Sequence, residues 1–537
     1  MLVRDMVAGV TVGLVALPLA MAFAIASGLT PQAGIYCAIV TGFIISALGG
    51  SKFQIGGPTG AFVVVVAGII ADYGVSGLFM CTMMAGVMLV VLGATGMGAA
   101  VKYLPRPVVV GFTNGIAVLI ASTQIKDFLG LRIGGVPAEF LPRMKMLASS
   151  LDTINPAAAA VGIGALVTIV VLRRTLPRIP GTILALAGGT TLVVLTHLGV
   201  ETIGTRFGGI PSGLPWPVVP RFEPSLIPTL LRPAITVAML GAIESLMSAV
   251  VADRMGGDRH NPNVELVAQG IANIASPIFG GLPATGAIAR TATNIRSGAA
   301  SPVAGMVHAI TLLVILVAAA PLASYIPLAV LGAILLVVAY NMGEWHEIPS
   351  LLKLTKTDIS VWFVTFALTV FADLTLAVEV GMILAGLLYI RRVAGTTTVS
   401  QVTWDYVEEG RAHSLQDKLI PPYVAIFRIH GPFLFGVTDK LAAVLDDLAT
   451  LPPIVIVRLR NMTAIDATGM RALEDLAHRL HASGRTLVLC GAREQPAAVM
   501  KASGFYDQVG AGNVCANVES ALARARQLHE QALSPTA

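Results

Sequence analysis

The stretch "SPIFGGLPATGAIARTATNIRSG", residues 276–298, lies deep inside an apolar chain, yet it carries repeated glycines and prolines, three threonines and two arginines. A hydrocarbon-spanning helix cannot hold that composition unless it is broken, with a half-helix that begins near the bilayer midplane and faces protein or water instead of lipid. Residues 53–66, "FQIGGPTGAFVVVV", repeat the same grammar: a short β-prone run, paired glycines, Pro, Thr, Gly, Ala, then an apolar helix. Thr59 of "GGPTGA" and Thr285 of "GGLPATGA" stand about 226 residues apart. Two Gly/Pro-interrupted apolar segments at matching positions of two halves point to the binding site of a membrane carrier.

The rest of the chain agrees. It has 537 residues, 55% of them hydrophobic and only 12% charged, with a mean hydropathy of +0.80. No soluble core needs that much apolar sequence, so most of the chain is expected to lie in a lipid bilayer. Apolar runs bounded by Pro, Gly or charge fall at 6–27, 34–49, 58–70, 76–97, 105–125, 156–173 and 181–198. Seven more follow at 232–253, 264–278, 285–298, 302–319, 326–341, 358–373 and 376–395. Two sets of seven, an odd number, enter the membrane from opposite sides, which is the arithmetic of an inverted repeat. The first run follows a single Arg and keeps Pro18 in its middle, so it is read as the first span and not as a removed signal peptide.

The net charge of +5 and pI of about 9.1 do not imply nucleic acid, because the basic residues sit mostly in loops between spans. With both termini cytoplasmic, Arg4, Lys52, Lys102, Arg106, Arg173, Arg174, Arg178, Arg254, Arg259, Lys353, Lys356, Arg391 and Arg392 fall inside, about thirteen against about six outside. The outer set is Lys126, Arg132, Arg143, Lys145, Arg206 and Arg221. The four cysteines, Cys37, Cys81, Cys490 and Cys515, have no CxxC or metal spacing and read as free thiols. From about Pro421, short apolar runs alternate with charged helical stretches, among them "TDKLAAVLDDLAT" and "GMRALEDLAHRLHAS", the pattern of a compact α/β domain. Residues 396–420 read as a polar linker and the final "ALSPTA" as a disordered end.

The motifs "ALPLAMAFAIASGLTPQAGIY", "GGPTGAFVVV", "LGAIESLMSAVVADRMGG" and "GGLPATGAIARTATNIRSGAASPVAG", in that order, resemble the SulP anion transporters, the sulfate-permease relatives of prestin and pendrin. The tail, with "NMTAIDATGMRAL", resembles the STAS domain that follows such transporters. Together the resemblances span essentially the whole chain. They imply a polytopic α-helical membrane protein of fourteen segments, a 7+7 inverted repeat split into core and gate domains, followed by a soluble α/β STAS domain. The implied domains are 1–395 for transport, with repeats at about 1–198 and 232–395, the linker 396–420, and a cytoplasmic STAS domain at 421–537. The family also implies a homodimer in a bacterial inner membrane, secondary transport of sulfate, bicarbonate or dicarboxylate anions, and no enzymatic activity.

If the third and tenth segments begin near the midplane and run to opposite faces, their N-termini converge, each with unpaired N–H groups and about half a positive charge. An anion fits between them. The expected donors are the backbone at Thr59, Gly60 and Ala61 and at Ala287, Ile288 and Ala289, with the Thr59 and Thr285 hydroxyls nearby. Glycines alone could instead serve close helix packing. Arg290 matches the arginine that resembles an anion-site cation in prestin-like relatives; the alternative is an ion pair with Glu244 that joins two helices. Phe23 matches the aromatic that lines the family's anion pocket, with helix packing as the alternative. Leu19 stands where many sulfate transporters carry Gln, which draws the chain toward bicarbonate or dicarboxylate relatives. Met80, Met83, Met84 and Met88 form a stripe suited to adaptable packing.

Glu244 stands in the apolar helix "AMLGAIESLMSAVVA", where a carboxylate costs about 2.5–3.5 kcal/mol. Ser248, four residues on, shares its face. A carboxylate beside an anion site is electrostatically wrong unless a proton or Na⁺ neutralises it, which is the logic of symport. The family resemblance associates Asp at this place with Na⁺ coupling and Glu with H⁺ coupling. No other cofactor or metal is expected. Thr468 occupies the place of the phosphorylated Ser of soluble STAS proteins; the alternative is a helix start in a domain that docks a cytosolic partner. An uncoupled anion channel and a membrane sensor with a STAS output remain as competing functions. An enzyme is not expected, for want of a P-loop, a metal set or a nucleophile and base.

Overall fold

The computed structural model describes residues 1–98, 105–134, 136–176, 180–372, 374–401, 420–435, 441 and 450–533. Lys102, Arg178, the linker at 402–419, nearly all of the helical stretch expected at 438–450 and the end at 534–537 lie outside the described residues. The chain forms two compact units, Met1–Ala385 and Gly386–Ala537.

In the first half of the chain the order is α1 (Leu2–Ala26), α2 (Pro31–Leu48), β1 (Gly56–Gly57), α3 (Gly60–Ala94), α4 (Arg106–Leu129), α5 (Phe140–Ser149), α6 (Pro156–Thr175), α7 (Gly181–Thr196) and the short α8 (Ile203–Phe207). The second half runs α9 (Ile227–Gly256), α10 (Pro262–Ile278), β2 (Thr285–Gly286), α11 (Ile288–Arg296), α12 (Val303–Ala323), α13 (Leu328–Met342), α14 (Ile348–Leu351), α15 (Lys356–Phe371) and α16 (Leu374–Thr396). Proline in the first turn starts α2, α4, α6, α9 and α10, where its fixed φ suits a helix and its missing N–H is no loss. Among the described residues eight helices are long and apolar enough to cross a membrane, and α7 is a shorter apolar helix.

The 35 residues of α3 would make a rod of ~52 Å, too long for a hydrocarbon core of ~30 Å. Gly74 breaks it. At φ 68° and ψ −176° that residue is not helical, so α3 is two segments joined at a kink. No atom crowds a side chain there, so the positive φ is what selects glycine. With α3 counted as two, the fourteen segments foreseen in the sequence are all helical. The first four of each set, α1, α2, both parts of α3, α9, α10, α11 and α12, pack together as a core bundle. Segments from the last three of each set, α4, α6, α7, α13 and α15, form a second, gate bundle.

One close crossing in the core bundle rests on a reciprocal pair of glycines. A β-carbon at Gly86 would lie 2.7 Å from the Gly270 carbonyl oxygen, and one at Gly270 would lie 2.5 Å from that of Gly86. With little hydrophobic drive between helices in lipid, such backbone approach maximises van der Waals contact between α3 and α10. Met80, Met84 and Met88 pack into the same core.

The second unit holds a five-stranded sheet in the order β3 (Thr398–Gln401), β4 (Val424–Phe433), β5 (Ile454–Ile465), β6 (Thr486–Cys490), β7 (Val514–Cys515). All neighbours are parallel except β3, which pairs antiparallel with β4. Thr398–Gln401, read from the sequence as linker, is therefore an edge strand. Its helices include, among the described residues, α17 (Ala467–Ala482), α18 (Glu494–Ala502), α19 (Phe505–Val509) and α20 (Val518–Leu533). Successive strand residues face opposite ways, so Phe427 and Leu459 pack with Leu473 and Leu480 of α17 on one face. Ile426, Ile456 and Val488 pack with Ala521 and Ala525 of α20 on the other.

Candidate anion site

Two strands of two residues each hold the centre of the core bundle. β1 and β2 pair antiparallel, Gly56 with Gly286 and Gly57 with Thr285, so the chain leaves the pair in opposite directions and the N-termini of α3 and α11 flank it. The ladder extends by one bond, from the Ala287 N–H to the Ile55 carbonyl at 2.9 Å. The Ile55 N–H in turn donates to Thr291 Oγ1 of α11 at 3.0 Å. The approach to β2 is fixed by α10: Asn273 donates to the Ala284 carbonyl at 2.8 Å and accepts the Ala284 N–H at 2.9 Å.

Neither helix start is capped by a side chain. Thr59 is the N-cap of α3 and has the extended backbone of one, yet its hydroxyl does not serve the helix. It donates instead to Glu244 Oε2 at 2.8 Å. The first amides of both helices, at Gly60 and Ala61 and at Ile288 and Ala289, are thus left by position without intrahelical partners.

Three expected participants are corrected. The Ala287 amide is consumed by Ile55 in the ladder and is not an anion donor. The Thr285 hydroxyl, fully buried, donates to the Gly241 carbonyl of α9 at 2.9 Å. Ser248 shares a helical face with Glu244, but its hydroxyl turns to Thr291 Oγ1 at 3.2 Å. Helical spacing gives the shared face and not the rotamer.

Arg290 is 3% exposed. One guanidinium nitrogen, Nη2, donates to the Pro58 carbonyl, while Nη1 is buried with no hydrogen-bond partner among the described residues. A β-carbon at Gly57, whose φ is +149°, would lie 2.5 Å from Nη1, so the guanidinium sits directly against β1. No ion pair joins Arg290 and Glu244 among the described residues; Thr59 is the hydrogen-bond partner of the carboxylate. Phe23 is buried, and with Ile120 of α4 and Met342 of α13 it lies nearest to the open side of Gly60. The start of α3 is therefore where the gate bundle meets the core bundle.

Sequence reading missed Glu265. It is fully buried in the first turn of α10. Its Oε2 accepts the Gly50 and Ser51 amides at 2.9 and 3.1 Å, and its Oε1 accepts Gln269 Nε2 at 2.9 Å and Gln54 Nε2 at 3.1 Å. Gln54 also donates to the carbonyl and hydroxyl of Ser245, both at 3.0 Å, beside Glu244. One carboxylate thus ties the exit of α2 and the approach to β1 onto α9 and α10. An acid in a first helical turn reads from sequence as a complement to the helix dipole, which hid this role.

In the second unit Thr468 is exposed in the first turn of α17. Asp466 is the cap, accepting the Gly469 N–H at 2.8 Å and the Phe435 N–H at 3.0 Å. Burial pushes the Cys490 thiol up to about 12, the state of an inert core cysteine. All four cysteines are free.

Two half-helices that face each other inside a core bundle, set against a gate bundle, define a membrane transport protein. The model of the sulfate permease family matches residues 2–365, and that of the STAS domain matches residues 417–521. The chain is 41% identical over 509 residues to the putative sulfate transporter YvdB of Bacillus subtilis, covering 94% of both chains. It is 32% identical over 454 residues to the bicarbonate transporter BicA of Picosynechococcus, covering 82% of this chain and 80% of that one. Among solved structures, murine solute carrier 26 family member A9, in the inward-facing state, superposes with a TM-score of 0.87 at 18% identity, covering 98% of this chain and 91% of that one, which is a likeness of fold. The chain belongs to the sulfate permease family, as an anion transporter with a C-terminal STAS domain and not an enzyme.

Proposed function

We propose that the protein is a secondary active carrier of a small oxyanion of the bicarbonate, sulfate or C4-dicarboxylate class, working as a proton symporter with the anion bound between the N-termini of α3 and α11. The observation that carries this reading is the pair of uncapped helix starts held at one ladder, with the unpartnered Nη1 of Arg290 buried beside them. Backbone N–H groups, helix dipoles and one guanidinium make a cationic cradle without committing to a particular oxyanion. The names of the relatives divide between sulfate and bicarbonate. Leu19, where many sulfate transporters carry Gln, favours the bicarbonate or dicarboxylate class.

Glu244 supplies the coupling. When ionised, it sets a negative charge next to the place an anion must occupy, and protonation removes that charge. A Na⁺-coupled bicarbonate symporter is the second reading; the likeness to a relative named as a bicarbonate transporter favours its anion and says nothing of its cation. Ser248 counts against it, since its hydroxyl faces Thr291 and not the carboxylate, which leaves a cation site short of oxygen ligands. Uncoupled exchange or channel flow gives the coupling carboxylate no task. Transport would proceed by movement of the core bundle, with the site, past the gate bundle. The proposed setting is a homodimer in a bacterial plasma membrane with both termini cytoplasmic, the STAS domain docking a cytosolic partner and Thr468 open to phosphorylation.

The test is uptake of labelled sulfate, bicarbonate and fumarate into proteoliposomes, with proton and Na⁺ gradients imposed separately. Accumulation of at least one anion driven by the proton gradient alone is expected. Flux that follows only the anion's own gradient would overturn the coupled reading.

A further inference from the structure

Thr59 is an N-cap residue that does not cap. Its backbone is extended, at φ −127° and ψ 161°, and it precedes the first helical residue of α3, the position where Thr ordinarily gives its oxygen to a helix amide. Here the hydroxyl donates across 185 residues of sequence to Glu244, and the residue is 5% exposed. A hydroxyl has one proton and two lone pairs, whereas an ionised carboxylate can only accept. While Glu244 is ionised it holds the one proton that Thr59 can offer.

We infer that Thr59 is the relay through which the anion reads the protonation state of Glu244. When a proton arrives on Glu244 Oε2, the new O–H donates to a lone pair of Thr59 Oγ1, and the Thr59 proton turns from the carboxylate to the anion beside the Gly60 and Ala61 amides. No covalent bond to Thr59 changes; one proton is gained at Glu244 and one hydrogen bond reverses direction. Protonation thus acts twice, by removing a repelling charge and by releasing a donor. The inference rests on the proposed reading of Glu244 as the coupling residue and of the two helix starts as the anion site.

The surroundings of the carboxylate suit a two-state switch. From α11, Arg290 is the charge that acts on Glu244. Cys37 of α2 and His308 of α12 lie within reach of Arg290. From α10, Glu265 reaches Ser245, the residue next to Glu244, but backbone amides and two Gln side chains already satisfy its oxygens. The α3 segment that Thr59 opens carries no titratable side chain over residues 60–71; Asp72 and Tyr73 stand at its far end, just before Gly74. The equivalent threonine of the other half, Thr285, cannot act in this way because its proton goes to a backbone carbonyl, which never titrates.

The test is the affinity of the full-length protein, reconstituted in proteoliposomes, for labelled sulfate and labelled fumarate at mildly acid and mildly alkaline pH, where neither probe changes charge. Wild type is compared with Thr59→Val, Thr59→Ser and Glu244→Gln. Valine keeps the branched shape and suits the extended backbone, so thermal unfolding in detergent should move little. The relay predicts that Thr59→Val loses about tenfold in affinity at acid pH, the value of one hydrogen bond to an anion, and little at alkaline pH. The pH dependence of affinity should therefore flatten, and Thr59→Ser should restore it. An equal loss at both pH values in Thr59→Val, with the wild-type pH dependence retained, would overturn the relay and leave Glu244 coupling intact. A wild-type affinity that ignores pH, or a Glu244→Gln variant indistinguishable from wild type, would overturn both.

Discussion

The two halves of the site share a backbone and differ in chemistry. Each has a glycine-rich approach, a two-residue strand and an uncapped helix start. In the first half, the threonine hydroxyl goes to a carboxylate and the neighbouring glutamine is held by a second carboxylate. In the second, the threonine hydroxyl goes to a carbonyl, and an asparagine pairs with the backbone. In the proposed reading, repetition builds the cradle for the anion, and the departure from repetition gives one half a proton-sensitive contact. The second half supplies the fixed cation, Arg290, which reaches across to Pro58 of the first.

Four substitutions break or sharpen that contrast, from the largest expected effect down. Glu265→Gln puts an amide N–H₂ against donors it cannot satisfy, so thermal unfolding in detergent should show a loss of about 3 kcal/mol. Arg290→Gln removes the fixed charge, and anion affinity should fall about 30-fold at every pH, because this group does not change state. Gly57→Ala sets a β-carbon against the guanidinium at a φ that L-residues avoid; the far end of the flexible arginine moves, and affinity should fall about tenfold. Thr285→Val removes one neutral hydrogen bond to Gly241, so stability should fall by about 1 kcal/mol with the pH dependence of binding unchanged. A pH-sensitive Thr285→Val variant would erase the distinction between the halves.

The fold and the meeting of the two broken segments were legible because lipid leaves few choices. A stretch with Pro, Thr, Arg and paired glycines has no place against hydrocarbon, so residues 276–298 and 53–66 announced themselves as broken segments. The division into bundles follows once the segments are numbered. The directions of single groups were hidden, since spacing gives a helical face and not a rotamer. Ser248 lies where expected but bonds Thr291, and the Ala287 amide is taken by a ladder one bond longer than composition reveals. Gly74 falls in the unremarked gap between the runs 58–70 and 76–97; its positive φ is what turns one over-long helix into two segments. Glu265 was concealed by an unremarkable position at the start of a helix.

The central claim is that an anion between two helix starts moves with a proton carried on Glu244. Its most direct test is accumulation of labelled anion in proteoliposomes under an imposed proton gradient, wild type beside Glu244→Gln. The account predicts uphill accumulation in wild type, and in the variant only equilibration of the anion across the bilayer, with exchange flux retained. Undiminished uphill accumulation in Glu244→Gln would contradict it.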